Sequence, residues 1–361
     1  MKGRKYMKVT IKDIAREAGV SVSTVSKVLS GKEGNIKISD ATRERVLTVA
    51  KAMHYMPDYG AQLIRTGRAF TFGISIPSSK RHGFEISHYH SGLLKSIEQR
   101  SYAKGYDLLL VNSDSYRKKL NATQIDGMII IDQLELTEDL IYMAENKKPF
   151  VIINNMITDN QYDLPTINVD NREGMRLVVN HFLENGHRQL AFIGDISHHV
   201  QPEHSVRRDA FIHFLAEAGC KVDPSLILLG FNPAILPEIP EEYSHQNFGY
   251  YGMKYLYENR NRDFTGVFCA NDIIAIGAMH YLYQKKVKVP EDLSVIGFDD
   301  VDFAMHLMPG LTSVYQPLDQ MGTAAVDVLI DLIEKPEQDR KIFKLFSPRL
   351  MVRKSVLNLT A

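Results

Sequence analysis

The spacing of apolar positions changes character along this chain. Between residues 10 and 50 they recur at three- and four-residue intervals in short runs: Ile11, Ile14, Ala15 and Ala18, then Val25, Val28 and Leu29, then Ala41, Val46, Leu47 and Ala50. Each set falls on one face of a helix. The ends are marked as well. Thr10 precedes the first run with Asp13 at the capping-box position, which satisfies free amides at a helix start. Gly19 follows, where the chain needs a residue tolerant of positive φ, and Val20 can plug the turn. Ser21 then caps a second helix, expected over Val22–Leu29, whose outward side shows Val22, Ser23, Ser26 and Lys27. Ser39 caps a third, with Arg43 and Arg45 exposed. Short helices joined by a Gly-bearing turn, the second presenting small polar and basic side chains, predict a helix-turn-helix. A purely structural three-helix bundle is the plainer alternative at this stage.

From Phe70 onward short apolar runs alternate with amphipathic stretches: Phe72–Ile76, Leu108–Val111, Gly127–Ile131, Phe150–Ile153, Leu190–Gly194, Val267–Ala270 and Leu293–Phe298. That rhythm predicts parallel α/β units. A further strand ends at Leu229-Gly230. Ligands of such sheets lie beyond the carboxyl ends of strands. This rule nominates Asn154, Asn271, Asp272 and Asp299, each of which could instead be a helix cap at a βα loop.

Composition adds one asymmetry. The net charge of zero conceals a head, residues 1–68, with 14 Lys/Arg against 6 Asp/Glu, and a remainder with 29 against 37. A basic head on an acidic body suits a polyanion binder, because each cation near a phosphate releases counterions. The length of 361 residues accommodates two or three domains. No stretch approaches the roughly 18 apolar residues needed to span a bilayer. No apolar signal-peptide core follows the basic start Met1–Met7. The two cysteines, Cys220 and Cys269, are far apart and outside metal-ligand spacing, as expected for a reduced cytosolic setting. A cytoplasmic protein is expected.

The string Val9-Thr10-Ile11-Lys12-Asp13-Ile14-Ala15, continued by Ala18-Gly19-Val20-Ser21-Val22-Ser23-Thr24-Val25-Ser26-Lys27-Val28-Leu29, is more specific than its periodicity. With Ala41-Thr42-Arg43-Glu44-Arg45-Val46 and Tyr55-Met56-Pro57, it closely resembles the lactose repressor/galactose repressor family. The resemblance implies that the second helix enters the major groove of double-stranded operator DNA. It makes Val22, Ser23 and Lys27 the base readers and Thr24 and Ser26 phosphate partners, with Thr10 in the same DNA-binding set. Lys27 stands where many members carry Arg, so a point charge replaces a bidentate fork. The stretch Tyr59–Arg68 resembles the family's hinge helix, which orders on DNA and wedges an apolar side chain, here Ile64, into the minor groove. Gly60 weakens that helix by roughly 0.5–1 kcal/mol relative to Ala, which suits a segment that folds on binding.

The resemblance extends through Asn168-Val169-Asp170-Asn171, Gly186-His187-Arg188, Ala191-Phe192-Ile193-Gly194, Ala270-Asn271-Asp272 and Val295-Ile296-Gly297-Phe298-Asp299-Asp300. It implies a two-lobed α/β effector domain of the periplasmic-binding-protein type behind the all-α head. The expected plan is a helix-turn-helix domain over 1–58, a hinge over 59–68 and an effector-binding and dimerisation domain over 69–361. Its lobes are expected to comprise 69–166 with 300–325, and 167–299 with 326–361. The resemblance assigns Arg207, Asn271 and Asp299 to the sugar-binding cleft. Tyr89 becomes a stacking platform and Phe231 a second one, since aromatic faces cover sugar C–H surfaces. Asn154 joins them by the strand-end rule.

Three departures stand out: a longer segment around Ser79–Phe84, only eleven residues between Asp114 and Asp126, too few for the family's usual helix, and a longer loop over Lys32–Ile38. Together they resemble the galactoside-responsive subgroup, which implies a galactoside or related oligosaccharide as effector. The segment Pro233–Gln246 lies near the cleft in chain order.

No cofactor is expected. Neither a Gly-x-Gly-x-x-Gly nor a P-loop occurs, Gly31-Lys32-Glu33 lacks the required hydroxyl, and no nucleophile elbow is present, so a sugar-processing enzyme has no motif behind it. A transport receptor that only binds sugar is disfavoured by the head. His198, His199 and His204, or His82, His88 and His90, are loop histidines for which metal ligation is not expected, and His88 and His90 could equally hydrogen-bond a ligand hydroxyl. No heptad tail follows Leu350-Met351-Val352, so a homodimer is expected rather than a coiled-coil tetramer.

Overall fold

The structure, a computed structural model, describes residues 9–30, 38–55, 63, 66–76, 78–79, 83–84, 88–111, 116–133, 135–155, 157, 162–195, 202–230, 232, 234–239, 244–259, 263–337 and 341–360. Two compact units emerge, Met1–Ala69 and Phe70–Ala361.

In the first unit, helices run over Ile11–Ala18, Val22–Ser30 and Asp40–Ala52. The Thr10–Asp13 capping box forms in full, and Gly19 closes the first helix at φ 62°, the left-handed region that glycine enters without penalty. Ile14, Ala15, Ala18, Val25, Val28, Val46 and Ala50 make the core. Two residues expected on the apolar face of the third helix depart from it: Ala41 is exposed and Leu47 is 48% exposed. Val46 and Ala50, one turn apart, already fill the contact with the other two helices, and Leu47 lies about 100° further round. Arg43 is half-buried rather than exposed.

The second unit holds two six-stranded sheets. The first runs in the order Phe343–Phe346, Thr166–Val169, Phe150–Ile153, Gly127–Ile131, Thr71–Ser75, Asp107–Leu110, all parallel. The second runs Arg349–Met351, Thr312–Tyr315, Ser294–Asp299, Gly266–Cys269, Leu190–Gly194, Ile227–Leu229, parallel except for its first strand. Alternate residues of the first sheet feed different cores. Ile129, Ile131, Val151 and Ile153 pack with the helix Leu318–Glu334, while Met128, Ile130, Phe150 and Ile152 form a separate cluster. Burial on both faces explains why these strands read as unbroken apolar runs. The short helix Tyr116–Asn121 occupies the eleven-residue interval judged too tight for a full helix.

The lobes divide differently from the expectation. Thr312–Tyr315 pairs with Ser294–Asp299 in the second sheet, so 300–315 does not belong with the first lobe. The helix Leu318–Glu334 and strand Phe343–Phe346 return to the first lobe, and Thr166–Val169 lies in the first sheet rather than opening the second lobe. The chain therefore crosses at residue 170, at 316–317 and at 347–348. The physical reason is pairing: Thr166–Val169 hydrogen-bonds into the first sheet, Thr312–Tyr315 into the second and Phe343–Phe346 onto the edge of the first before the chain leaves each.

In the second lobe, the helices His245–Asn259 and Asp272–Gln284 approach backbone to backbone. A methyl group at Gly277 would strike the Gln246 carbonyl oxygen, and one at Gly249 the Ile274 carbonyl oxygen. Among the described residues no helix is long and apolar enough to cross a membrane.

Candidate functional site

Several parallel strands end in a non-glycine residue at positive φ: Asp132 at 55°, Asn154 at 61° and Asp299 at 111°. Asn and Asp enter this region more readily than other side chains, at a cost in strain. All three turn into one cleft. The first lobe contributes His88, Tyr89, His90, Asp132 and Asn154; the second contributes Glu203, His204, Arg207, His245, Asn271, Ile273, Asp299 and Val301, with Gln316 from a crossing segment.

In the first lobe Asp132 is the shared acceptor, 2.7 Å from His90 Nε2 and 2.8 Å from Asn154 Nδ2. In the second, Arg207 is buried and held from three sides. Its Nε donates to Asn171 Oδ1 at 2.8 Å, its Nη1 to the Ala270 carbonyl at 2.6 Å, and its guanidinium stacks on Phe298. Asp299 lies 3.9 Å from Arg207 and accepts from Gln316 Nε2 at 2.7 Å. Asn271 caps the helix Asp272–Gln284 through Oδ1, while its Nδ2 lies 2.9 Å from His245 Nδ1.

Burial sets the protonation states. It raises Asp299 to about 6, against the pull of Arg207 and the Gln316 hydrogen bond. It raises Glu203 to about 8, with Asp132 adding to the effect. His204 is buried on the Asp195 carbonyl and held well below the ordinary imidazole range, so it is neutral. The cleft thus offers carboxylates, one guanidinium, amides and imidazoles. Such a mixture suits hydroxyl groups, which both donate and accept.

The structure therefore brings together Tyr89, Asn154, Arg207, Asn271 and Asp299. Phe231 and Ile64 lie outside the described residues. Tyr89 packs its ring in the first-lobe core, and its hydroxyl is the polar atom at the cleft. Asp272, nominated by the strand-end rule, is instead fully buried on the Val301 amide and the Ser313 hydroxyl, a structural role. Asp132 was missed although it follows the strand Gly127–Ile131 as Asn154 follows its own; the strand-end rule reaches it. Glu203, one turn before Arg207 on the same helix face, carries a similar signal. His245 and Gln316 carry none, because only the meeting of distant segments places them. Among the described residues no cluster of three metal-ligating side chains occurs.

In the head, the second helix carries the residues expected to read DNA. Val22 and Ser23 are exposed, and Thr24, Ser26 and Lys27 are half-buried beside them. Ser21 Oγ accepts from the Thr24 amide at 3.1 Å and lies 2.7 Å from Ser23 Oγ, which orders the helix start.

A helix-turn-helix head joined in one chain to a two-lobed body with a polar cleft defines a ligand-responsive DNA-binding regulator. Residues 10–58 match the family of bacterial regulatory proteins, lacI family, and residues 179–356 match the periplasmic binding protein-like domain. The chain belongs to the lacI family. It is 30% identical to the HTH-type transcriptional regulator RegA of Clostridium saccharobutylicum, over 94% of this chain and 97% of that one. It is also 30% identical to the HTH-type transcriptional repressor PurR of Photobacterium profundum, over 97% and 99%. Among solved structures, the CelR–cellobiose complex superposes with a TM-score of 0.67 at 25% identity, covering 96% of this chain and all of that one. The lac repressor dimer bound to operator and the anti-inducer ONPF shares the fold, with a TM-score of 0.77 at 23% identity over 97% and 100%. The protein is a transcription regulator, not an enzyme, as its relatives are.

Proposed function

We propose that this protein is a cytoplasmic, homodimeric repressor of carbohydrate-utilisation genes, released from or fastened to its operator by a sugar in the cleft. The observation that carries the reading is the convergence of Tyr89, Asn154, Arg207, Asn271 and Asp299 from both lobes on one polar cavity. A ligand touching both lobes favours one lobe arrangement over another, and its differential affinity bounds the shift. Related proteins hold cellobiose and ribose, and a galactoside or related oligosaccharide is the effector we favour. His245, from the segment beside the cleft, helps to shape that preference.

On DNA, Val22, Ser23 and Lys27 read base edges, Thr24, Ser26 and Thr10 hold phosphates, and Ile64 wedges the minor groove. Two heads of a dimer match two half-sites. The test is operator capture from a random DNA pool by the full chain, followed by titration with galactosides, glucosides and pentoses. A sugar that changes operator affinity at least tenfold supports the reading; operator binding indifferent to every sugar overturns the effector half of it.

A further inference from the structure

The side-chain amide of Asn271 meets two partners whose demands fix which way it points. Its Oδ1 accepts from the Ile274 amide at 2.8 Å and caps the helix Asp272–Gln284. A backbone N–H only donates, so the amide oxygen belongs on that side and the nitrogen on the other. That nitrogen, Nδ2, lies 2.9 Å from Nδ1 of His245. An amide nitrogen only donates as well, so His245 Nδ1 is the bare, accepting nitrogen of its ring. The ring proton then sits on Nε2, which lies 3.8 Å from a carboxyl oxygen of Asp195.

The pair joins two helix starts. His245 opens the helix His245–Asn259, Asn271 caps Asp272–Gln284, and the two helices meet through Gly249 and Gly277. Both residues line the cleft. Asn271 gives its oxygen to the helix and one N–H to His245, and one N–H remains for a ligand. Turning the amide over would set donor against donor at Ile274 and acceptor against acceptor at His245. Each of those bonds is lost inside the protein, where an unmet polar group is costly.

Resting on the carbohydrate reading above, we propose that His245 is a positioning residue: its bare Nδ1 locks the Asn271 amide so that a sugar oxygen meets an N–H there. The sugar atom at this point is an acceptor. His245 acts through Asn271, by the nitrogen it offers rather than by the face of its ring.

The experiment has two arms. In the first, NMR of the full-length protein labelled at its histidine nitrogens reads the His245 tautomer without sugar, at mildly alkaline pH, the signals being assigned by their loss in His245→Asn. A bare Nδ1 and a protonated Nε2 are expected; a proton on Nδ1 overturns the inference. In the second, calorimetric titration with D-galactose, lactose, D-glucose, cellobiose and D-ribose compares variants whose fold circular dichroism confirms. His245→Asn sets an amide oxygen where Nδ1 stands and should keep sugar binding within about threefold, whereas His245→Phe keeps a ring without the acceptor and should weaken it about tenfold, or about 1.4 kcal/mol. With Asn271→Ser, which keeps a helix cap but has no amide, adding His245→Phe should cost no more than about twofold further. Full binding by His245→Phe, equal loss in His245→Asn, or losses that multiply when Asn271→Ser and His245→Phe are combined overturns the inference while sparing the carbohydrate reading. Binding by none of the sugars overturns that reading, and with it the role given to the remaining N–H; the tautomer, read without sugar, keeps the two failures apart.

Discussion

The guanidinium carbon of Arg207 sits 3.6 Å from the centroid of the Phe298 ring. Phe298 belongs to the strand Ser294–Asp299, whose last residue lines the cleft, so this stacking ties the arginine to the strand that presents Asp299. The planar fork is held flat by the ring while Asn171 and Ala270 take its edge. Arg207→Lys keeps the charge and loses the plane, and is not a conservative change here. Loss of a buried, hydrogen-bonded charge partner costs about 2–5 kcal/mol of binding. Arg207→Lys should therefore respond to effector only at concentrations higher by two orders of magnitude or so, while its operator affinity without effector stays close to wild type. Fluorescence anisotropy on labelled operator, with and without sugar, checks both halves.

Lys27 lies on the outward face of the second head helix, beside Ser23 and Ser26. Its ammonium is a point charge, so one base step should feel its removal. In a panel of operator variants, Lys27→Ala is expected to relax discrimination at a single position by about 1–3 kcal/mol. A uniform loss across all sequences, with a salt slope reduced by about one, would place the side chain on a phosphate instead.

Stability should depend on pH through the cleft itself. A carboxyl raised in the folded state binds its proton more tightly there than in the unfolded chain, so its contribution is whole below its ordinary value and lost as pH climbs through the folded one. For Glu203 that interval runs from 4.5 to about 8. Asp272, raised by burial, pulls in the same direction. His204, His181 and His187 act oppositely, since burial disfavours their charged forms and stability falls as pH drops below 6.5. Above that value the carboxyls dominate among these groups. The unliganded protein should therefore lose thermal stability as pH rises from 6.5 to 8, and Glu203→Gln should flatten that slope in scanning calorimetry. An identical slope in the variant would remove Glu203 as its source.

Gly277→Ala sets a methyl group against the Gln246 carbonyl oxygen, which belongs to a helix backbone and cannot swing aside. Overpacking of this kind costs about 1–3 kcal/mol. The two helices also start at the cleft, where His245 and Asn271 lie 2.9 Å apart. The variant should show both a lower Tm and weaker sugar binding, measured by calorimetry and titration. A lowered Tm with unchanged binding would mean that the helix contact serves packing alone.

How far the chain could be read from its letters follows from burial. The strands Thr71–Ser75, Gly127–Ile131, Phe150–Ile153, Leu190–Gly194, Gly266–Cys269 and Ser294–Asp299 read as apolar runs because both faces are covered, and the sequence places each to within a residue, whereas Thr166–Val169 is not among the runs it predicts. Phe343–Phe346 is not among them either, because it forms an edge whose first residue is 65% exposed. Thr312–Tyr315 escaped notice because its polar groups are satisfied inside the sheet: Thr312 accepts from the Arg353 amide and Ser313 donates to Asp272. These hidden strands are also the reason the lobe boundaries were misplaced. In the cleft, strand ends disclosed Asn154, Asn271 and Asp299, and family likeness disclosed Arg207 and Tyr89. His90 and His204, weighed only as possible metal ligands or hydroxyl partners, are instead bonded to Asp132 and to the Asp195 carbonyl.

The three crossings between the lobes lie side by side. The Asp170 amide donates to the Phe346 carbonyl, and Tyr315 stands in register with Arg349. A single tether would let the lobes swivel freely; three tethers in a row leave bending about one line as the easy motion. Gln316 sits in one of these tethers and donates to Asp299. A ligand that engages Gln316 therefore acts at the axis itself, where small displacements become changes of angle between the lobes.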